Sequence, residues 1–403
     1  MPALIFKKGL DLKREVAGQL SASYHSDLVA GIKARDYRHD VGRLTIHLAR
    51  EFGFCYGVDR AVDYAYQARL KFPARRVFLT GEIIHNPHVN DQLRAQGIRF
   101  LSDPGESWEA LMADDVVILP AFGVTVDDLM RLDTLGCTLV DTTCGSVLNV
   151  WKNVKRYAAD GFTSIIHGKH WHEETRATAS QAVQVPGGHY LVLLDTREAD
   201  VVCDFITAAH PPGSAARAAL LDRYREACSP GFDPDLHLSR VGCANQTTML
   251  STESFAIGEQ FRAAIRQRYG AAAEAAHFRA FDTICSATQD RQDAVLAMLA
   301  DLSLDAMIVI GGYNSSNTCN LARICAEKVP TYHIADPSGL VSADTIRHRD
   351  VHTKAEVVST GWLPDGPITI GLTSGASTPD NLVEAVVKSL TVFTAEPAGA
   401  AAP

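Results

Sequence analysis

Three cysteines of the sequence share one local setting, with a strand-like apolar run before them and a helix-like run after them. Cys144 follows "LVDTT", Cys285 follows "FRAFDTI" and Cys55 follows "LAREFGF". A helix N-terminus carries partial positive charge and favours the thiolate form, and the Asp-Thr pair before two of the cysteines can cap a helix. Because metals and clusters bind thiolates, the repeated joint predicts three α/β units that each offer one thiol ligand.

The chemistry of three converging thiolates leaves alternatives open. They suit an iron–sulfur cluster with one iron that has no protein ligand, or a zinc ion with one open position. For any one cysteine, burial as a small apolar side chain is the ordinary alternative. The triple recurrence favours the metal centre, and the odd number of cysteines argues against a disulfide scaffold. We expect the others to be ordinary: Cys137, Cys203, Cys228, Cys243, Cys319 and Cys325.

Two further turns carry donors of the kind that bind phosphate. "GGYNSSNTCNL" (311–321) follows an apolar run, and so does "TSGASTPDNLVEAVV" (373–387), where Ser377 or Thr378 would cap the next helix. Backbone N–H and hydroxyl groups at such strand-to-helix turns can bind a phosphate group. Each turn alone is equally typical of a capped helix. Together with the thiols, the two turns predict one central site for a phosphorylated ligand.

The histidines cluster in two segments, "GEIIHNPHVN" (81–90) and "IIHGKHWHEET" (165–175). The H-E-x-x-H motif of zinc proteases is absent. A histidine beside a glutamate near a redox centre suits proton delivery, although a polar surface turn is the ordinary interpretation of any one of these histidines. "CANQTTML" (243–250) adds hydroxyl and amide donors that could equally cap a helix.

The elements that position these residues alternate between strand-like and helix-like runs, which is typical of βαβ units and largely parallel sheets. Helices are predicted over 12–34 and in five later runs. We predict an N-terminal extension (1–43), α/β domains over 44–143, 144–282 with an insertion at about 203–240, and 283–391, and a disordered tail (392–403); the first strand could belong with the third domain. The strand-like runs are 43–50, 75–81, 115–123, 137–141, 162–168, 190–194, 305–312, 331–335 and 368–375, and the later helical runs are 58–70, 147–159, 252–268, 290–300 and 379–390.

Composition limits the classes of function. The chain has 403 residues, 46% of them hydrophobic, and a formal net charge of −9, which argues against a partner that is nucleic acid or an anionic membrane. No apolar stretch is long enough for a membrane helix, and the N-terminus does not look like a signal peptide. We therefore expect a cytoplasmic enzyme with a sizeable core.

The motifs as a set resemble the 4-hydroxy-3-methylbut-2-enyl diphosphate reductases, the last enzymes of the non-mevalonate (methylerythritol phosphate) isoprenoid route. They run in family order from about residue 44 to 390, and the extension and "HEETRATAS" look like the longer branch found in cyanobacteria and plastids. The motifs are "GFCYGVDRAV", "EIIHNPHVN", "VDTTC", "HGKHWHEET", "NQTT", "DTICSATQDRQDAV", "NSSNTCNL" and "TSGASTPDNLV".

This resemblance implies three α/β domains in a pseudo-threefold trefoil around a 4Fe-4S cluster held by Cys55, Cys144 and Cys285. It implies that Glu174, with His172 and Thr247, handles protons at the allylic hydroxyl of the bound substrate. A ferredoxin- or flavodoxin-type protein would supply electrons, and the products would be isopentenyl and dimethylallyl diphosphate. The residues implied for the diphosphate are His85, Ser315, Ser316, Asn317 and Ser377.

Two departures from the family pattern stand out. Ala121-Phe122-Gly123 replaces an Ala-His-Gly motif of the short-chain branch, which removes a basic donor, and Gly145 stands where the family usually has proline. Two other classes of function remain open on the residues alone. They are a hydro-lyase with an open-iron cluster, which needs no reductant, and an iron–sulfur or zinc sensor, although no basic recognition helix is evident.

Overall fold

The chain folds into three largely parallel β-sheets connected by helices, in a computed structural model that describes residues 4–208, 210–281 and 283–395. The predicted α/β class with three sheets is confirmed, and each of the nine strand-like runs contains a strand. In chain order the strands are β1 (Ile5–Phe6), β2 (Arg38–Val41), β3 (Leu44–Leu48), β4 (Val77–Leu79), β5 (Ile98–Phe100), β6 (Val116–Leu119), β7 (Thr138–Asp141), β8 (Thr163–His167), β9 (Tyr190–Leu193), β10 (Val241–Asn245), β11 (Phe278–Ala280), β12 (Ala306–Ile310), β13 (Thr331–Ile334), β14 (Thr345–Arg349), β15 (Glu356–Thr360) and β16 (Ile368–Ser374).

The helices include all five later predicted runs, and the segment predicted as one helix over 12–34 forms two. Ser26 has extended backbone and its hydroxyl accepts from the Val29 N–H, so the residue begins a second helix instead of continuing the first. The helices are α1 (Lys13–Tyr24), α2 (Asp27–Lys33), α3 (Tyr56–Lys71), α4 (Pro87–Ala95), α5 (Val126–Leu135), α6 (Gly145–Ala159), α7 (Glu173–Val183), α8 (Thr196–Thr207), α9 (Ala215–Arg223), α10 (Pro234–His237), α11 (Ser251–Tyr269), α12 (Glu274–His277), α13 (Ser286–Asp301), α14 (Ser316–Ala326) and α15 (Asp380–Thr394).

The sheets are distributed over two compact units. The first unit comprises the described residues of Met1–Lys8, Phe72–Ile83 and Ile98–Cys285, and it contains the sheets β1-β7-β6-β4-β5 and β11-β10-β8-β9, which are parallel throughout. Strands β6, β8 and β10 are buried at every position, as expected of parallel strands that are covered on both faces. This burial explains the continuous apolar sequence of β6.

The second unit comprises the described residues of Gly9–Lys71, Ile84–Gly97 and Ser286–Pro403 and contains the sheet β15-β14-β13-β12-β16-β3-β2. Strand β3 pairs in parallel with β16, so residues 44–71, which the sequence assigned to the first domain, lie in this second unit. The edge strands β2 and β15, and β14 next to β15, are antiparallel to their neighbours. The core of the sheet is aliphatic, with Ile46, Ile308 and Ile370 fully buried.

Two predicted segments, the insertion and the tail, contain helical residues. The insertion at 203–240 forms α9 and α10, and Leu220 and Tyr224 belong to the core of the first unit. Helix α15 reaches Thr394, so residues 392–394 of the predicted tail are helical, and the tail from residue 396 lies outside the described residues. Among the described residues, no helix has both the length and the apolar character to cross a membrane.

Candidate functional site

The three predicted thiol joints share a backbone arrangement. Cys144 is the N-cap of α6, and Cys55 and Cys285 directly precede α3 and α13. In each case the N–H of the cysteine donates to a carbonyl group from a loop distant in sequence, so the backbone beside each thiol is fixed from outside its own helix. The acceptors are the carbonyl of Ala121 for Cys144 (3.0 Å), of Ala376 for Cys55 (3.2 Å) and of Thr247 for Cys285 (3.2 Å).

Among the described residues, the Asp141-Thr142 pair does not cap α6, which corrects an expectation from the sequence. No side chain caps α6, and Thr142 instead donates its hydroxyl to the carbonyl of Leu119, at the end of β6, at 2.6 Å. The equivalent Thr283 accepts at its hydroxyl from the N–H of Asn245, at the end of β10, at 2.7 Å. Both threonines are buried and tie the joint to a neighbouring strand, while Asp282 lies outside the described residues.

The chemistry of the thiols distinguishes these three cysteines from most of the others. Cys55, Cys144 and Cys285 are each partly exposed beside a helix N-terminus. Thiols in such a setting fit the binding of a metal or cluster. By contrast, burial raises the pKa of Cys203 and of Cys325 to about 12, so both remain protonated thiols. Burial also raises the pKa of the thiols of Cys137, Cys228 and Cys243.

A buried acid–imidazole group lies at the start of α7. His172 is its N-cap, and Nδ1 of the ring accepts from the N–H of Glu174 at 3.1 Å. A neutral imidazole that accepts at Nδ1 carries its proton on Nε2. The N–H of Thr247 donates to Oε1 of Glu174 at 2.6 Å. Glu174 is 1% exposed, and the structure thus brings together the three residues predicted to handle protons.

The loop with the Phe122 departure packs against this group. The Phe122 ring lies edge-on to the ring of His172, with centroids 5.6 Å apart. Gly123 has a φ of +77°, and a Cβ there would lie 2.4 Å from the Trp151 indole, so a glycine is required. Trp151 donates from Nε1 to the hydroxyl of Thr178 on α7 at 3.2 Å. Sequence reasoning noted only the lost basic donor; it missed the packing role of Phe122 and Trp151.

The second departure has a smaller consequence. Gly145 is the first residue of α6, and a Cβ built there would meet nothing within 4 Å. Its backbone is outside the left-handed region, so the helix keeps an ordinary start without proline.

The first phosphate-type turn leads into α14. Ser315 is the N-cap, and its hydroxyl accepts from the N–H of Thr318 at 3.2 Å. Ser315, Ser316 and Asn317 are buried, so their polar groups line the start of a helix that has 11 residues. Behind the turn, the buried His333 ring donates from Nε2 to the carbonyl of Gly311 at 2.9 Å. A helix N-terminus with such hydroxyl groups suits an anion.

The second phosphate-type turn is attached to the first. The N–H of Ala376 donates to Oδ1 of Asn317 at 3.0 Å, and the Ser377 hydroxyl donates to the carbonyl of His85 at 3.3 Å. A Cβ on Gly312 would lie 2.5 Å from that same carbonyl, so the turn approaches His85 very closely. The structure therefore gathers the five residues predicted to contact a diphosphate within the second unit.

The structure corrects the expected helix cap of α15 and gives two of the remaining histidines other partners. Neither Ser377 nor Thr378 caps α15. Pro379 is the N-cap, and among the described residues no side chain makes a capping hydrogen bond to this helix. His167 is buried, with Nδ1 2.7 Å from the Ser254 hydroxyl, and His170 packs against Trp171. These contacts give both histidines packing partners outside the acid–imidazole group.

Comparisons with known proteins agree on one family. Residues 46–391 match the family described as LytB protein. A 4-hydroxy-3-methylbut-2-enyl diphosphate reductase from Thermosynechococcus vestitus is 47% identical over 387 residues, covering 95% of this chain and 93% of that protein. One from Gloeobacter violaceus is 48% identical over 390 residues, covering 95% of this chain and 91% of that protein.

Solved structures show the same fold. The structure of (E)-4-hydroxy-3-methyl-but-2-enyl diphosphate reductase, the terminal enzyme of the non-mevalonate pathway, aligns with a TM-score of 0.52 and 25% identity, covering 86% of this chain and 99% of that one. The structure of the E-1-hydroxy-2-methyl-but-2-enyl-4-diphosphate reductase from Plasmodium falciparum aligns with a TM-score of 0.62 and 20% identity, covering 87% of this chain and 88% of that one.

Proposed function

The chain belongs to the LytB protein family, and we propose that it reductively removes the hydroxyl group of (E)-4-hydroxy-3-methylbut-2-enyl diphosphate. Two electrons and two protons enter, water leaves, and the product is isopentenyl or dimethylallyl diphosphate. The observation that carries the proposal is the Glu174 carboxyl group, buried beside His172 and held by Thr247. A reductive dehydroxylation needs a proton donor of this kind, shielded from solvent, at the leaving oxygen.

We propose Cys55, Cys144 and Cys285 as the ligands of a 4Fe-4S cluster. Their support is the donor chemistry, since each is a partly exposed cysteine at a helix N-terminus with an anchored backbone N–H. When bound, the cluster would supply the electrons and a Lewis-acidic iron for the substrate oxygen. Of the remaining cysteines, Cys137, Cys203, Cys228, Cys243 and Cys325 are buried or have a raised pKa, and the Cys319 thiol, inside α14, donates to the carbonyl of Tyr313.

The diphosphate group is assigned to the two turns of the second unit and the residue that they contact. Ser315 is the N-cap of α14, and Ser316 and Asn317 are its first two residues. Their hydroxyl, amide and backbone N–H groups lie at the same helix end, where an anion would bind. Ser377 and His85 are joined by a hydrogen bond, which holds the second turn against the His85 backbone. Hydrogen bonds from the His85 ring and the positive end of the helix dipole would offset the overall negative charge of the chain.

Protons are assigned to the acid–imidazole group. Glu174 would protonate the leaving hydroxyl, which departs as water, and a second proton at either of two allylic carbons sets the product. His172 presents Nε2–H because its Nδ1 is occupied by the N–H of Glu174. Thr247 fixes Oε1 of Glu174 and thereby orients the carboxyl group. We also propose a ferredoxin- or flavodoxin-type electron donor and a cytoplasmic location.

Anaerobic metal and sulfide analysis, combined with a reductase assay on the hydroxylated diphosphate, tests the proposal. We expect iron and acid-labile sulfide in equal amounts and turnover that requires an external reductant. Protein without iron or sulfide would contradict the cluster, and bound zinc would favour a sensor. Conversion of the substrate to a dehydrated, unreduced product without a reductant would favour a hydro-lyase.

A further inference from the structure

The turn that carries Cys55 is held by partners on three sides within the second unit. This turn, residues 49–55, joins β3 to α3. The Gly53 N–H donates to the Ser374 hydroxyl at 3.0 Å, and its carbonyl accepts from Nη2 of Arg291 at 2.6 Å. Gly53 has a φ of +81°, so its conformation requires glycine. The backbone next to the thiol is therefore set by packing outside the turn.

Helix α2 reaches this turn through Lys33. The Lys33 ammonium lies 4.4 Å from the centroid of the Phe52 ring and 3.0 Å from Oδ2 of Asp380, the first residue of α15. The other oxygen of Asp380 lies 2.8 Å from the Cβ position of Gly53. Asp380 thus packs the start of α15 against Gly53, and Lys33 holds the carboxyl group there. The pair is partly buried, with side chains 34% and 19% exposed, so solvent screens it less than a surface pair.

Helix α1 supports the other side of the turn through Tyr24. The Tyr24 ring packs against that of Phe54, with centroids 5.5 Å apart, and its hydroxyl lies 3.0 Å from that of Tyr66 on α3. The carbonyl of Ser23 accepts from Nδ2 of Asn381 at 2.7 Å. The end of α1 therefore contacts both the residue before Cys55 and the first turn of α15.

The start of the same helix is fixed to α3. Oε1 of Gln67 accepts from the N–H groups of Leu10 and Leu12 at 3.0 and 3.1 Å, and Asp63 in turn accepts from Nε2 of Gln67. Gln67 and Asp63 are buried, so these polar contacts are costly to break. Residues 10–33 are thus anchored at both ends, and we call them the N-terminal clamp.

We propose that the N-terminal clamp positions the Cys55 thiol for cluster binding, with Lys33 and Tyr24 as positioning residues that act through Asp380 and Phe54. This inference rests on the proposed function, because it assumes that Cys55 binds iron. The clamp holds two features at once, the thiol turn and the first turn of α15, which follows the turn that carries Ser377. Loosening it should increase the rate at which bound iron is lost, while the fold persists.

The test measures iron release from full-length, anaerobically purified protein challenged with a ferrous chelator. We expect Lys33→Met and Tyr24→Leu each to accelerate release about fivefold, the effect of losing one partly buried contact. Lys33→Arg keeps the positive charge, so this variant should release iron at the wild-type rate. Lys13→Met is the matched control, since Lys13 is exposed on α1 and the substitution is the same. Circular dichroism and initial iron content should be unchanged in all variants.

A double-mutant cycle separates the clamp from general destabilisation. Asp380→Asn should accelerate release, and adding Lys33→Met should increase the rate no further, because both act through one pair. Wild-type release rates in both Lys33→Met and Tyr24→Leu, with iron present, would overturn the clamp and leave the proposed function intact. Additive effects of Lys33→Met and Asp380→Asn would overturn the assigned route. A wild-type protein without iron would overturn both proposals.

Discussion

Thr247 donates its N–H to Oε1 of Glu174 at 2.6 Å, and its carbonyl accepts from the N–H of Cys285 at 3.2 Å. One residue between β10 and α11 therefore holds both the buried carboxyl group and a thiol joint. Glu174 and Thr247 are 73 positions apart in sequence. A displacement of this turn would move both groups together, which couples the proposed proton donor to the proposed ligand.

Glu174→Gln should abolish most turnover and leave the protein folded. The amide oxygen can still accept from the Thr247 N–H, but the amide cannot donate a proton as an acid does. General acid catalysis contributes about 10²–10⁴-fold, so we expect kcat to fall by that factor. Steady-state kinetics with an artificial reductant would measure it, and iron content should match the wild type. Unchanged kcat would exclude Glu174 as the proton donor.

Phe122→Leu should lower kcat more than it changes KM. The variant removes the edge-on ring contact with His172, and aromatic pairs contribute about 0.5–1.5 kcal/mol, which corresponds to about a 2- to 12-fold effect. Phe122→His keeps a ring and should lose less. Phe255→Leu is the matched control, because Phe255 is 71% exposed. The packing role would be contradicted if Phe122→Leu kept the wild-type kcat while the control, Phe255→Leu, lost activity.

Gly312→Ala should weaken binding of the diphosphate. Its new Cβ would lie 2.5 Å from the carbonyl oxygen of His85, a backbone atom that cannot rotate away, so the turn must shift. Overpacking of this kind costs about 1–3 kcal/mol. We expect KM to rise about tenfold or more and the free energy of unfolding to fall.

The control for this substitution is Gly18→Ala on α1. Nothing lies within 4 Å of a Cβ at that exposed position. Alanine in a helix interior is favoured over glycine by about 0.5–1 kcal/mol, so stability should hold or rise. If Gly312→Ala and Gly18→Ala behave alike, the close approach to the His85 carbonyl does not restrict position 312 to glycine.

Stability should fall in acid partly because of His333. Burial lowers the pKa of this imidazole from 6.5 to about 4, so the unfolded chain binds a proton that the folded protein refuses between those values. The contribution of the neutral His333 ring to the free energy of unfolding is complete above pH 6.5 and is lost as the pH falls toward 4. From pH 7 to 5 we expect a loss of about 2 kcal/mol.

Denaturant unfolding of the wild type and of His333→Gln at both pH values measures the contribution of His333 to the free energy of unfolding. The glutamine amide can still donate to the Gly311 carbonyl, so the turn is preserved while the titrating group is removed. The variant should show a smaller loss of stability from pH 7 to 5. Parallel pH profiles for both proteins would show that His333 does not titrate on unfolding.

The sequence by itself determined the class of fold and the composition of the candidate site. Continuous apolar runs predicted the buried parallel strands, because a strand covered on both faces has no solvent side to show. The repeated setting of Cys55, Cys144 and Cys285 and the wording of the motifs pointed to one family, and the match over residues 46–391 bears this out. These signals are local, so they can be recognised without knowing the partners of any residue.

Only the tertiary structure decided which groups contact one another. The placement of β3 beside β16, the binding of Thr142 and Thr283 to neighbouring strand ends, and the packing of Phe122 on His172 join segments far apart in sequence. Local patterns suggested helix caps for the Asp-Thr pairs, because a short polar side chain before a helix most often bonds to that helix. The nearby strand ends offered buried backbone groups that needed partners, and the hydroxyl groups of Thr142 and Thr283 bond to those groups.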